Sequence, residues 1–516
     1  MLGKVRKSLS YLVPIQRSEL KKFIPMLIIF FFVGFVYNIL RNTKDAVLVT
    51  GQASGAEIIP FVKVWGVFPG AILMTAFFSW LSNKLSMERV FYILVSIFIG
   101  YFVLFAFVIY PNGDALHLDT LGNFLEGHLP KGALGFISMI RYWSLTLFYI
   151  MCELWSCIVL SILFWGFANE TTTVKEASRF YALFGVGMNC SGIAAGQACI
   201  YLSKLPLQAG AVAIGINPWQ QTLGLITVVV TLSGVIMFAF FRWLHVNVLE
   251  DCKFYKARKK NNFKLSLRKN FAYLSKSKYL ISIAVLVLSF NLVINLIEVL
   301  WKNQIQQLYP NPNDFNVYLN QVTVITATLA TVLALFSGLV INKLGWTGSA
   351  LITPVMLLIT SVGFFSCLLF GGPLERFSQA YFHMSPVALA AVFGSIAVIL
   401  GRTCKYTLFD STKELAFIPL TTESRKKGKA AIDGVGSRLG KSGGSVIHQG
   451  LLMVFAGFSA SAPFVGVFLI LVILGWMGAV KVLGKDFKQL TEQNESLDVE
   501  EQRDASITQT TATAAQ

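Results

Sequence analysis

Residues 433–444 read DGVGSRLGKSGG and end in the Gly-Lys-Ser triplet of a phosphate-cradling loop. A Walker A loop needs four residues between its first glycine and that ending, so that successive backbone N–H groups wrap the phosphates and the lysine reaches them. Upstream of Gly440 the glycines are Gly436, with three residues between, and Gly434, with five. Neither spacing fits, and the charged run 423–429 stands where the motif wants a strand. An ATP hydrolase is disfavoured. Small residues for helix packing account for the glycines, but leave Arg438 and Lys441 to be explained.

Other charges share that problem. Arg41, Lys44, Asp45, Lys63, Arg141, Glu153, Glu298, Lys302, Arg402, Lys405, Asp410, Lys413, Glu414 and Asp433 all fall in or beside apolar runs. Each costs about 2.5–3.5 kcal/mol at the centre of a membrane helix on insertion scales. Local pairing is one account, since Asp410–Lys413 and Glu298–Lys302 have i,i+3 and i,i+4 spacing. It does not balance the set, because with Arg438 and Lys441 included ten cations face six acids. A cavity with surplus positive charge suits a polyanion, and the arginine fork matches phosphate oxygens. Lys44, Arg141, Lys302, Arg402 and Lys441 are therefore candidates for phosphate binding, with Glu153 and Glu298 as carboxylates that switch ion pairs or carry a proton. Tyr142 and Trp143 are candidates to stack on a base, or simply interface aromatics. These residues imply a carrier of an anionic, phosphorylated solute, and a sugar phosphate fits as well as a nucleotide.

The elements that position them are helices in a bilayer. The 516 residues are 55% hydrophobic and only 13% charged, with 43 Phe and a mean hydropathy of +0.64. Soluble domains carry about a quarter charged residues, so this is an all-α membrane protein. Apolar runs predict twelve transmembrane helices, near 22–41, 58–81, 90–110, 134–168, 177–203, 220–244, 279–301, 318–341, 348–371, 385–420, 428–456 and 461–483. The net charge of +17 does not call for nucleic acid as a partner, because it is concentrated beside the spans. Residues 1–22 hold six Lys/Arg against one Glu, and 250–278 hold ten against two acids. The positive-inside rule then puts both termini and that linker in the cytoplasm, with the acid-rich 111–131 outside. Anionic lipid headgroups are a compatible partner. Seven cysteines lack metal-ligand spacing, so neither metal nor cofactor is expected.

The chain also repeats. RYWSLTLFYIMCEL at 141–154 aligns with RTCKYTLFDSTKEL at 402–415 at an offset of 261. Asn-Lys-Leu recurs at 83–85 and 342–344, and Gly-Val-Gly at 185–187 and 434–436. Each match pairs a helix with the one six later, which predicts two six-helix repeats in a major facilitator-like fold with the substrate between them. The expected parts are an N-terminal half (1–249), a basic linker (250–278), a C-terminal half (279–484) and a disordered polar tail (485–516).

At RNTKDAVLV (41–49), GAEIIPFVKVW (55–65), ELWSCIVLSILFWGFAN (153–169), KEASRFYALFG (175–185), NLIEVLWK (295–302), KYTLFDSTKELAFIPL (405–420) and KGKAAIDGVGSRLGKSGG (427–444), the sequence resembles the nucleotide transporter family. These are the ATP/ADP translocases of obligate intracellular bacteria and plastids. The resemblance implies import of ATP in exchange for ADP, with phosphate as a co-substrate, or in some members several nucleoside triphosphates or proton symport. It implies functional roles for Lys44, Glu153, Glu298 and Lys441, and a bacterial inner membrane or plastid envelope location. Asn42, Ser156 and Gly434 depart from the exchangers' usual R-[DS]-x-K-D, ELWG and A-I-D-V-V patterns, and point toward members with broader or proton-coupled transport. Oligomeric state is not legible, although a monomer suffices for this fold.

Overall fold

A computed structural model describes residues 15, 19–52, 54–213, 215–249, 277–420, 428–429, 432 and 437–514. The basic linker, Asp433 and Gly434 lie outside the described residues. Among those described there is no strand, and ten helices are long and apolar enough to cross a membrane. An integral membrane chain has this option because a helix satisfies its own backbone where no water is available.

The helices before the linker are α1 (Leu20–Thr50), α2 (Gly55–Lys84), α3 (Met87–Ile109), the short α4 (Asp119–His128) and α5 (Leu134–Arg141), then α6 (Trp143–Thr171), α7 (Val174–Ser203) and α8 (Pro218–Val248). After it come α9 (Lys278–Leu308), α10 (Pro312–Leu369), the short α11 (Gly371–Phe382), α12 (Pro386–Ala416), α13 (Ser437–Phe455) and α14 (Phe458–Ala514). Polar side chains start several of them. Thr173 with Glu176 and Asn217 with Gln220 form reciprocal capping boxes, and Ser86 and Ser385 accept from backbone N–H groups three residues on.

The structure departs from the predicted spans where charge or a one-residue break misleads a hydropathy reading. The run 22–41 was expected to end at its first charges, yet α1 continues through Arg41, Lys44 and Asp45 to Thr50. Their partners lie on other helices, so they do not need water to end the span. The predicted 318–341 and 348–371 helices are both present, as the two arms of α10 on either side of a break at Gly345, whose φ of 68° glycine adopts without strain. The predicted 134–168 helix is interrupted at Tyr142, between α5 and α6. The tail expected without structure continues α14 to Ala514; its Glu, Gln and Ala are sound helix formers.

Two groups of helices, α1–α8 and α9–α14, meet along one face of the molecule. There Asn42 donates to Asn320 Oδ1 (2.8 Å) and Thr323 Oγ1 (3.0 Å), and Asn316 donates to Ser203 Oγ (3.0 Å). Glu57 accepts from the Phe458 N–H at the start of α14 (3.1 Å). Against α10, α7 packs so closely at Gly196 that a Cβ there would sit 2.5 Å from Val324 Cγ2. About three turns from that contact on the same two helices, Val186 is 46% and Phe336 50% exposed. These contacts between the two groups lie in the half of the molecule where α1 ends.

Candidate functional site

Just inside that sealed face the two groups share a charge cluster. Lys44, on α1, is hydrogen-bonded to Asp45 Oδ1 (2.8 Å) and ion-paired to Glu153 Oε1 of α6 (3.0 Å), and its ammonium lies 3.9 Å from the Tyr149 ring centroid. Asp45 Oδ2 reaches across to Lys302 Nζ on α9 at 2.7 Å. Glu298, one turn before Lys302, accepts from Arg402 Nε (3.0 Å) and Nη2 (2.7 Å) on α12. Arg41 of α1 stands 3.8 Å from the same Glu298 oxygen. Lys63, on α2, lies within electrostatic range of Lys302, Glu298, Glu153 and Lys44.

Five cations thus surround three carboxylates. Water is nearly excluded from Lys44, Asp45, Lys302 and Arg402, whose side chains are 3–9% exposed, whereas Arg41 (20%) and Glu153 (30%) form the accessible edge. Buried ion pairs seldom repay their desolvation. The cluster is better understood as a charged lining than as a device for stability.

Its walls are irregular helix. Wide π-helical turns run over Val62–Val67 beside Lys63, Ser156–Phe164 after Glu153, and Lys405–Phe409 after Arg402. Such turns insert an extra residue and re-aim side chains, and they concentrate at functional sites.

Of the residues expected from sequence, Lys44, Lys302, Arg402, Glu153 and Glu298 are brought together. Arg141 is not. It ends α5 on the loop side, paired with Glu126 Oε1 (3.1 Å) and Asn123 (2.8 Å) of α4. Tyr142 and Trp143 stay with it: Tyr142 packs against His117, and Trp143 donates to the Leu116 carbonyl (2.8 Å). The aromatic side chains beside the cluster are Tyr149, already named, with Tyr37 and Tyr406 within electrostatic range of Arg41. Lys441 lies on α13, but its side chain is outside what is described.

The 261-residue offset that matched Arg141 to Arg402 therefore pairs residues at different depths. Glu153 sits on Lys44, whereas its sequence match Glu414 pairs with Lys429 (2.5 Å) near the other end of its helix. A truer signal was available. Lys44 and Lys302 each stand six residues before the end of a 31-residue helix, at an offset of 258, and they share Asp45. The sequence reading also left Arg41, Asp45 and Lys63 out of the site, although RNTKD carries two of them. The alternative Glu298–Lys302 pairing is not adopted, while Asp410 and Lys413 do approach each other locally (3.8 Å).

Because Glu126 is 41% exposed, the Arg141 pair is worth about 1 kcal/mol or less. We expect Arg141→Ala to change the half-saturating substrate concentration less than twofold in an uptake assay. A tenfold loss would place Arg141 on the substrate path.

The cross-group cluster sits in a chain that matches the TLC ATP/ADP transporter family model over residues 3–487. The chain belongs to this family. It is 42% identical over 500 residues to ADP,ATP carrier protein 2 of Chlamydia pneumoniae, covering 93% of this chain and 91% of that protein. It is 40% identical over 499 residues to the plastidic ATP/ADP-transporter of Solanum tuberosum, covering 97% of this chain and 78% of that one. Among solved structures it is similar to a mutant of the nucleoside transporter NupG (TM-score 0.54, 12% identity, 90% of this chain and 99% of that one). A bacterial homologue of ferroportin in its inward-facing state gives TM-score 0.54 at 13% identity, with 92% and 99% covered. At such identities the likeness shows the fold alone, a major facilitator-like bundle. A family of transporters removes the hydrolase reading.

Proposed function

We propose that this TLC family member is an alternating-access nucleotide carrier that imports nucleoside triphosphates, ATP foremost, by exchange for ADP. The observation that carries this is the cluster's imbalance. Five cations and three carboxylates leave a surplus of positive charge on the seam between two helix groups. A phosphate tail entering there gives each cation a partner, replacing carboxylates that then separate. Lys44, Lys302, Arg402 and Lys441 bind phosphate in this reading, and Glu153 and Glu298 hold the cations while the site is empty. Tyr406, 48% exposed and close to the two arginines, takes the base-stacking role first considered for Tyr142 and Trp143.

The sealed face is the outer one, and the chain resides in a bacterial inner membrane with both termini in the cytoplasm. Alternating access follows because a ligand shifts the equilibrium between two states only by its difference in affinity for them. Phosphate binding relieves cation repulsion as the groups close.

Uptake of labelled ATP, GTP, UTP and CTP by intact cells expressing the protein tests this. Preloading with unlabelled ADP should stimulate ATP uptake several-fold, and an uncoupler should leave it unchanged. Collapse with the uncoupler would favour proton symport, with Glu153, the most accessible of the three carboxylates, as the group to replace first. Competition by hexose phosphate but not by nucleotides would sink the nucleotide reading.

A further inference from the structure

The cations of the cluster are held in different ways. Arg41 and Arg402 share Glu298, Lys302 reaches Asp45, and Lys63 has no carboxylate within 4 Å among the described residues. Lys44 has two carboxylates, Asp45 and Glu153, and a third partner of another kind. Its ammonium lies over the Tyr149 ring, 3.9 Å from the centroid. Among the described residues, no other cation of the cluster lies over a ring.

The helix places Tyr149 for this contact. Tyr149 stands four residues before Glu153 on α6, so ring and carboxylate project from one face, a turn apart, and meet Lys44 together. The Tyr149 side chain is 0% exposed, which keeps the ring from stacking on a base. Its hydroxyl has no hydrogen-bond partner, although Lys44, Asp45 and Glu153 are within electrostatic range. A buried hydroxyl without a partner is a cost rather than a gain. What Tyr149 offers Lys44 is therefore the face of its ring.

A ring and a carboxylate hold a cation differently. The ring quadrupole attracts an ammonium, most strongly where water is excluded, yet it carries no net charge. It fixes Lys44 in place and leaves the positive charge uncancelled. Asp45 and Glu153 must yield when a phosphate takes their place, but a neutral ring does not compete with an anion. Both Tyr149 and Lys44 belong to the first helix group, so their contact does not cross the seam.

We propose that Tyr149 is the positioning residue of Lys44: its ring keeps the ammonium aimed while the carboxylates on Lys44 are exchanged for phosphate. This rests on the nucleotide reading above and deepens it, adding a residue that acts on substrate only through the lysine.

The test uses the full-length protein reconstituted in liposomes, with labelled ATP uptake measured for wild type, Tyr149→Phe and Tyr149→Leu. Nonsense suppression adds a series with mono-, di- and trifluorophenylalanine at the same position. Fluorine withdraws charge from the ring face with little change in size, so the hold on a cation weakens while packing is kept. Tyr149→Leu should raise the half-saturating ATP concentration about tenfold, and Tyr149→Phe, which keeps the ring, less than about threefold. Each added fluorine should raise it further, approaching the Tyr149→Leu value at three. A flat fluorinated series overturns the proposal even where Tyr149→Leu is impaired, because packing alone is then at work. Wild-type uptake by Tyr149→Leu overturns it too, as does a Tyr149→Phe as weak as Tyr149→Leu, which would put the hydroxyl in place of the ring. Should Tyr149→Leu fail to reach the membrane, the fluorinated series still decides. A wild type that takes up no nucleotide removes the nucleotide reading and this one together, whereas normal wild-type uptake with a flat series removes this one alone.

Discussion

Asp45→Asn should lower exchange at least tenfold and open the sealed face. Asp45 divides its two oxygens between Lys44 of one helix group and Lys302 of the other, at 2.8 and 2.7 Å. Its side chain is 3% exposed, so no water replaces the lost charge. Removing one partner of a buried pair costs about 3–5 kcal/mol, because the remaining charge is left uncompensated. Here two ammonium groups are left facing each other, with Glu153 as the remaining counter-charge to Lys44. The part of the loss that belongs to the Asp45–Lys302 contact falls on the sealed state, since that contact spans the seam, whereas Asp45 and Lys44 are neighbours on α1. At about 1.4 kcal/mol per factor of ten, a loss of about 3–5 kcal/mol corresponds to roughly two to nearly four orders of magnitude, the upper bound on the drop in the ratio of sealed to unsealed molecules.

The readout is accessibility. A cysteine at Ser203, which accepts from Asn316 across the seam, should become reactive toward an impermeant thiol reagent added outside, in a background lacking the native cysteines. Asp45→Glu should fall between wild type and Asp45→Asn. Unchanged labelling with normal uptake would mean that Asp45 does not hold the groups together.

The second large effect concerns Arg402 and Glu298. Arg402 presents two nitrogens to one Glu298 oxygen, a geometry a guanidinium achieves and an ammonium does not. Arg402→Ala leaves Glu298 with Arg41 at 3.8 Å, and Glu298→Ala leaves both arginines unpartnered. Each single variant should lose about a hundredfold in uptake and some protein from the membrane. The double variant removes one charge of each sign, so the surplus is unchanged and the burial penalty is relieved. It should regain its level in the membrane while transport stays low, because the fork proposed to grip phosphate is gone. Recovery of transport along with protein level would reduce Arg402 to a counter-ion for Glu298. The comparison is a double-mutant cycle, which isolates the coupling of two groups from their separate effects.

These expectations depend on residues that were unequally legible beforehand. Lys44, Lys302, Arg402, Glu153 and Glu298 could be picked out because a charge in an apolar run is expensive and needs a reason. Arg141 satisfied the same criterion and is elsewhere, since a break at Tyr142 places it at a loop, against α4. Hydropathy cannot register a backbone break of one residue. Asp45 was visible as a charge but not as the bridge it forms, because its second partner, Lys302, is distant in sequence and is brought to it only by tertiary packing. Lys63 sits in a run whose π-helical turn leaves no mark on composition.

The sequence by itself determined that this is a helical bundle in a bilayer, which family's motifs it carries, and that its buried charge is predominantly positive. Those follow from quantities summed over many residues, such as hydropathy, charge and motif order. Which charges meet, which of them lacks a partner, and which face is shut were decided only by the tertiary structure. Ion pairing falls off within a few ångströms, and helices from opposite ends of the chain must pack before any of these distances exists.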